Sequence, residues 1–305
     1  MKRFIKRVLR KIKKMFEGND FPVQEKAALQ IPPGETLESI DRYLRSFTPE
    51  GARIEEMDGY LNESLRRFIY TLSLVPNGSG HLLEIGSNPY YMTLLLKKFR
   101  AYQVQSTNFF GEALPRSRQS QRVVNIANGD MTVFEFEHFN VESDEFPYPD
   151  GFFDVVLFCG VLEHLVLDPM FTLKNIHRVL KKDGVLIVTT PNVARYQNIE
   201  RMLNGENIYD PYSGYGAYGR HNREYTRGEL YRLLAQFGFT VTRHFTADSV
   251  SFQKGDLFEN EIKRVMTRFP LRANDLGQYL FFQAKKSEAG IDEERKSWLF
   301  RSFEK

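Results

Sequence analysis

Short apolar runs alternate with helically spaced segments between residues 81 and 190, and this alternation restricts what the chain can fold into more than any other feature. A run of four to eight apolar residues bounded by turn residues suits a buried strand, whereas apolar positions at i, i+3 and i+4 mark one face of a helix. The sequence predicts strands at 81–85, 102–107, 133–140, 153–158 and 184–190, helices at 91–99 and 169–180, and a polar connection before residue 133. Strands joined through helices pair in parallel, since a parallel crossover must return to the same end of the sheet.

Further on, 226–237 reads as a helix, and 239–245 and 278–284 as two more strands. Upstream, helical spacing runs through Leu37, Ile40, Tyr43 and Leu44, and again through Leu61, Leu65, Phe68, Ile69 and Leu72. The expected architecture is α/β: a Rossmann-like, doubly wound, mostly parallel seven-stranded sheet with helices on both faces and a helical N-terminal extension. Its expected parts are a basic amphipathic helix at 1–16, a linker at 17–35 and the helical extension at 36–75. The main domain follows at 76–285, with an insertion at 191–224, and a charged tail at 286–305 is expected to form a short peripheral helix carrying Trp298 and Phe300.

With 42% hydrophobic and 14% aromatic residues the chain has ample material for a core, which excludes disorder throughout. The longest apolar run, Val155 to Leu162, falls far short of the roughly 20 residues a membrane span needs. The single cysteine, Cys159, excludes an internal disulfide framework and a Cys-rich zinc site. With no secretory signal in view, a cytoplasmic, reducing setting is expected.

Charge is unevenly placed. The total is 42 basic against 39 acidic groups, but residues 1–16 hold eight of the cations and no acid, which leaves 34 against 39 for the body. The body is therefore no general nucleic-acid binder. In the same sixteen residues Phe4, Ile5, Val8, Leu9, Ile12, Met15 and Phe16 follow helical spacing opposite the cations. Such a helix lies in the interface of an anionic membrane, each cation adding about 1 kcal/mol of attraction, so peripheral attachment to the inner membrane face is expected. A helix packed on its own domain, or a partner or RNA site, is the plainer alternative.

The segment LLEIGSNPYYMTLLLKKF (82–99) joins a buried strand to a helix through a tight turn at Gly86, Ser87 and Asn88. Backbone amides and a helix N-terminus can approach a ligand there, and Glu84 can accept from a charged or hydroxylated group. Asn88 stands where GxGxxG has its second glycine, which argues against a nicotinamide dinucleotide. Five ordered segments are LEIG (83–86), FPYPDGFFDVV (146–156), VLEH (161–164), VLKKDGVLIVTTPN (179–192) and HNREYTRGELYRLLAQFGF (221–239). Together they resemble the class I S-adenosylmethionine-dependent methyltransferases, in the broad group that modifies small molecules and sugars, over about residues 60–285.

The resemblance implies S-adenosyl-L-methionine as cofactor, with Glu84, Gly86 and Ser87 on its methionine side. Asn108 stands where relatives carry an acid for the ribose hydroxyls, so it is expected there as a neutral acceptor. Asn140 replaces an Asp for the adenine amino group, Val141 flanks the ring, and Cys159 ends the strand beside the methyl group. A hydroxyl acceptor must lose its proton, and His164 is the first candidate base, with His221 the alternative. The Glu163–His164 pair could instead cap the following helix and brace the loop. Some relatives hold a divalent ion through two acids three residues apart around this pair; Gly160 occupies the first position, so no metal is predicted.

Residues 196–226 carry tyrosines at 196, 209, 212, 215, 218 and 225 and four glycines. Connections of this kind serve as lids or binding loops, or else as ordered spacers whose tyrosines pack on the domain. Tyr215 and Tyr218 suit sugar rings, while Arg220, Arg223 and Glu224 can hydrogen-bond hydroxyls or an acidic group. The expected activity is O-methylation of a sugar hydroxyl on a lipid-linked glycan, polysaccharide or glycolipid at the cytoplasmic membrane face, with no nucleic-acid partner. A lipid or quinone-like acceptor, and a scaffold subunit that binds the cofactor without turnover, are the alternatives. Oligomeric state is not legible.

Overall fold

Neighbouring residues of the central strands belong to opposite cores. Leu82, Val155, Leu157, Val185 and Ile187 are buried on one side of the sheet, and Leu83, Ile85, Val156, Phe158, Leu186 and Val188 on the other. Both faces of these strands are thus covered, which is why the segments read as continuous apolar runs rather than as alternating ones.

The computed structural model describes residues 25–250, 257–266 and 274–300; the basic segment 1–16 lies outside the described residues. The strands are β1 (Phe47–Pro49), β2 (Ser79–Ile85), β3 (Ala101–Asn108), β4 (Arg118–Asn125), β5 (Met131–His138), β6 (Phe153–Cys159), β7 (Leu180–Pro191), β8 (Phe239–Ala247) and β9 (Tyr279–Lys286). The helices are α1 (Leu37–Arg45), α2 (Ile54–Leu74), α3 (Tyr91–Phe99), α4 (Met170–Val179), α5 (Tyr196–Leu203), α6 (Arg227–Gln236) and α7 (Leu257–Met266). Capping boxes start α1 and α6, where Thr36 and Thr226 accept from Ser39 and Glu229 and receive a side chain in return.

The strand order is β1-β4-β5-β3-β2-β6-β7-β9-β8. Strands β5, β3, β2, β6 and β7 run parallel, whereas β9 runs antiparallel between β7 and β8. From β2 the chain winds outward to β3 and β5 and then returns to β6 on the other side of β2. That reversal opens a crevice at the carboxyl ends of β2 and β6, where ligands bind in sheets of this kind.

The doubly wound α/β expectation holds, with nine strands in place of seven. The added strands are β1, inside the extension read as helical, and β4, inside the polar connection; they pair antiparallel with each other, and β4 with β5. In β4 only Val123 is fully buried, because the strand presents a polar face to solvent. Residues 297–299 form a turn rather than the expected peripheral helix, with Trp298 held under the Arg232 guanidinium at 4.8 Å. The described end of the linker wraps the sheet edge: the Glu25 N–H donates to the His244 carbonyl, and its carboxylate pairs with Arg243. Among the described residues no helix is long and apolar enough to cross a membrane.

Candidate active site

A cavity of about 570 Å³ opens at the carboxyl ends of β2, β3, β5 and β6, with Gly86, Asn108, Asn140, Val141, Gly160 and His164 in its wall. A narrow adjoining recess reaches Arg67, Glu84, Ser87 and Cys159.

The floor is the β2–α3 turn. Gly86 has φ +73°, and a Cβ there would lie 2.5 Å from Val161 Cγ2, so only glycine lets the two loops approach. Tyr90 also adopts the left-handed region, at φ 73°, which costs a bulky residue on the order of 1–2 kcal/mol. Burial of its ring, stacked on Phe134 at 4.9 Å, offsets that strain. Asn108 closes the turn: its Nδ2 donates to Ser87 Oγ (3.0 Å) and Tyr90 Oη (3.2 Å), and its Oδ1 accepts from the Asn88 N–H (3.0 Å). The residue expected at the ribose therefore lines the cavity with both amide hydrogens already engaged.

Two buried ionisable groups share the recess. Burial raises the Glu84 carboxyl to about 8, against the lowering effect of the 2.6 Å hydrogen bond from Thr93. Arg67, projected from α2 and only 7% exposed, donates to Tyr60 Oη (2.9 Å) and Ser64 Oγ (3.2 Å). Burial disfavours its charge, but Tyr60, Tyr279 and Glu163 more than compensate, so it stays a cation. Its Nε is buried without a partner among the described residues. A cation with an unmet donor beside a carboxyl kept neutral by burial complements the carboxylate and ammonium of an α-amino acid. Arg67 is not legible from sequence, because the spacing through Leu61, Leu65, Phe68, Ile69 and Leu72 marks only a helix with one apolar face. The available signal was an arginine on the same helical stripe as Leu61 and Ser64.

Asn140 Nδ2 donates to Tyr218 Oη at 2.9 Å, and the Tyr218 ring meets Phe109 edge-on at 5.5 Å. The insertion thus places one tyrosine on the cavity wall beside Val141, Phe139 and Leu165. Burial pushes the Cys159 thiol up to about 12, which leaves it an uncharged wall group.

At the opposite corner the 3₁₀ turn Leu162–His164 meets the insertion. The backbone carbonyl of Glu163 accepts from the Asn222 and Arg223 N–H groups, and its carboxylate accepts from Thr190 Oγ1 at 2.9 Å. His164 Nδ1 lies 3.0 Å from the Arg220 carbonyl, His221 Nδ1 lies 3.0 Å from Glu224 Oε1, and the two rings are 5.0 Å apart. Burial works against protonation of His221, but the Glu224 hydrogen bond and the charges of Glu163 and Asp210 outweigh it and raise its pKa. Burial likewise works against the charge of Glu224, which His221 and Arg195 nonetheless hold below its usual range.

Both candidate bases therefore come together, one on the cavity wall and one behind it. Four of the five expected substrate contacts do not reach the cavity, and only Tyr218 lines it. Tyr215 is 90% exposed, and Arg223 turns away to Glu229 (3.0 Å) and the Tyr225 ring. The Arg220 side chain covers Tyr212 at 4.7 Å, and Glu224 is committed to Arg195 and His221. Arg220, Arg223 and Glu224 hold the insertion in place, a packing role that residue type alone does not reveal.

The winding of the sheet, with a cavity at the carboxyl ends of its central strands and a recess carrying Arg67 and Glu84 beside it, defines a ligand site at the switch point. The sequence profile described as "Methyltransferase domain" matches residues 57–244, and the chain belongs to that family. It is an S-adenosyl-L-methionine-dependent methyltransferase. Among solved structures, a chain of the complex between the Haloferax volcanii Trm112 methyltransferase activator and a methyltransferase is 14% identical. The match covers 82% of this chain and 98% of that one, with a TM-score of 0.49. A methyltransferase from Thermotoga maritima is 19% identical over 77% and 96%, with a TM-score of 0.47. One from Archaeoglobus fulgidus is 17% identical over 75% and 94%, with a TM-score of 0.46. At these values the likenesses add nothing to the assignment, which the profile carries. No curated protein matches the chain.

Proposed function

We propose that the enzyme methylates a hydroxyl of a sugar on a lipid-linked glycan, polysaccharide or glycolipid at the cytoplasmic membrane face. When bound, S-adenosyl-L-methionine supplies an electrophilic methyl group on its sulfonium. Arg67 and Glu84 would hold its carboxylate and ammonium, Gly86 and Ser87 would let backbone approach, and Asn108 would face the ribose. Asn140 and Val141 would border the adenine. What the chain adds is alignment of the acceptor and removal of its proton.

The observation that carries a hydroxyl acceptor is the paired imidazoles of His164 and His221, 5.0 Å apart at the cavity corner, with Nδ1 of each tied down. The Nε2 lone pair of His164, on the cavity wall, is the basic atom available to an acceptor oxygen, with His221 behind it. The sugar reading draws on the solvent-facing rings of Tyr209, Tyr212 and Tyr215 on the insertion, which suit a chain of sugars extending beyond the cavity. The membrane reading draws on the charge pattern of residues 1–16.

The test is transfer of labelled methyl to lipid-linked glycans extracted from membranes, set against soluble metabolites. Labelling of glycans, with a loss of about 10²–10⁴ in rate for His164→Ala, supports the proposal. Transfer to soluble metabolites alone would remove the acceptor assignment. A second reading, a cofactor-binding subunit without turnover, is favoured by the engagement of Asn108 in the turn; binding without transfer to any extract would establish it.

A further inference from the structure

Three connections at the mouth of the cavity carry apolar side chains on their outer side. Glu56 and Met57 of α2, Phe109 and Phe110 after β3, and His164 and Leu165 after β6 line the wall. Next to them Ile54, Phe110, Leu114, Val166 and Leu167 are exposed, Leu167 by 72%. At the opposite end of the sheet the turns 75–78, 148–152 and 237–238 carry no exposed large apolar side chain. Single exposed apolar groups are ordinary on a protein surface, but a set gathered on three sides of one opening marks a contact site.

This rim is braced, and acids within it are paired. The Glu142 carboxylate accepts from the Val166 and Leu167 N–H groups (3.0 and 2.7 Å), which fixes the backbone that presents both side chains. Glu56 pairs with Arg53 at 3.5 Å, and Arg116 with Glu112 and Asp144 at 2.6 and 2.5 Å. The start of the described chain points to what covers the rim. Followed back from Pro33, beside Val75 and Arg100 at the amino ends of β2 and β3, the chain reaches Glu25 at His244, in the carboxyl half of β8. Because β8 runs parallel to β6, the chain climbs towards the end of the sheet at which the cavity opens. Strand β8 stands three strands from β6, about 14 Å at the usual spacing, and residues 17–24 can span about 28 Å. The eight cations and helically spaced apolar residues of 1–16 are therefore within reach of the plane of the rim.

We propose that the rim seats on a lipid bilayer, so that the cavity mouth faces the membrane and residues 1–16 lie on the same surface. Residues 1–16 supply the attraction to anionic headgroups, and Ile54, Phe110, Leu114, Val166 and Leu167 enter the interface. Resting on the membrane part of the function proposed above, this orientation narrows the acceptor. It reaches the cavity from the bilayer side, and the methylated hydroxyl belongs to a sugar close to its lipid.

The test uses the full chain and vesicles of phosphatidylglycerol and phosphatidylcholine in equal parts, with a quencher on their acyl chains. A thiol-reactive fluorophore is attached at Leu167→Cys or, as a control on β5, at Val133→Cys. Cys159 stays unlabelled, because burial pushes its thiol up to about 12. On vesicles the fluorophore at position 167 should be quenched and the one at position 133 should not. The double variant Ile54→Ser, Leu167→Ser should bind vesicles about tenfold more weakly, with melting temperature and S-adenosylhomocysteine affinity unchanged. Equal quenching at the two positions, or undiminished vesicle binding by the double variant, overturns the proposal and leaves residues 1–16 as the membrane anchor. No vesicle binding by the full chain overturns both the proposal and the membrane reading on which it rests.

Discussion

Near neutral pH the Glu84 carboxyl is protonated in the cofactor-free chain, since burial raises it to about 8 from 4.5. A carboxyl whose folded pKa is raised contributes stability in its neutral form. That contribution is full below about 4.5 and is lost as the pH climbs through about 8. Relative to Glu84→Gln, the melting temperature of the cofactor-free enzyme should therefore fall across that window. The cofactor's ammonium favours the ionised carboxylate, so S-adenosylhomocysteine should bind more tightly as the pH rises towards 8, with a proton released below it. Calorimetry in buffers of different ionisation enthalpy measures that release, and its persistence in Glu84→Gln would contradict the assignment. Arg67→Met should weaken S-adenosylhomocysteine binding by at least about tenfold, one charge-assisted hydrogen bond being worth about 1.5–3 kcal/mol. Glu84 and Gly86 were legible because a strand-ending acid and a turn glycine carry their chemistry in local sequence. Arg67 was not, because its neighbours Tyr60 and Tyr279 and the recess itself come together only in the fold.

Two elements shape the site. The β2–α3 turn depends on the three hydrogen bonds of Asn108, and Asn108→Ala would leave the Asn88 N–H without its acceptor. Cofactor affinity should drop about tenfold while the melting temperature moves little, because an unmet donor near a cavity is partly recovered by water. The insertion hangs on the Arg195–Glu224 ion pair, whose side chains are 16% and 9% exposed. Removing one partner of a pair this buried strands the other charge, so Arg195→Ala should destabilise the fold by about 3 kcal/mol. An unfolding midpoint equal to wild type would place the pair among the inconsequential ones. Helix α3 matched its sequence expectation at both ends, since its spacing is clean and both flanking turns are short. Strand β4 was invisible because its sequence, RQSQRVVN, carries no apolar alternation: tertiary pairing with β5 makes it a strand, not its own pattern.

Over the whole molecule, the doubly wound sheet was legible because the central residues of β2, β6 and β7, at 82–83, 155–158 and 185–188, are buried on both faces of the sheet and must be apolar. The meeting of Glu163, His164 and His221 was half legible: the residues were singled out, but only the path of the insertion unites them. Charge separates an acidic body from a basic first sixteen residues. Deleting residues 2–16 should shift the protein from membrane to soluble fractions with cofactor affinity intact, and unchanged partitioning would remove the membrane role. The central claim is that the cavity at the ends of β2, β3, β5 and β6 takes S-adenosyl-L-methionine. Calorimetric titration of the purified enzyme with S-adenosyl-L-methionine and with S-adenosylhomocysteine tests it most directly. The account predicts micromolar, one-to-one binding of both, weakened by Arg67→Met; binding of neither would contradict it.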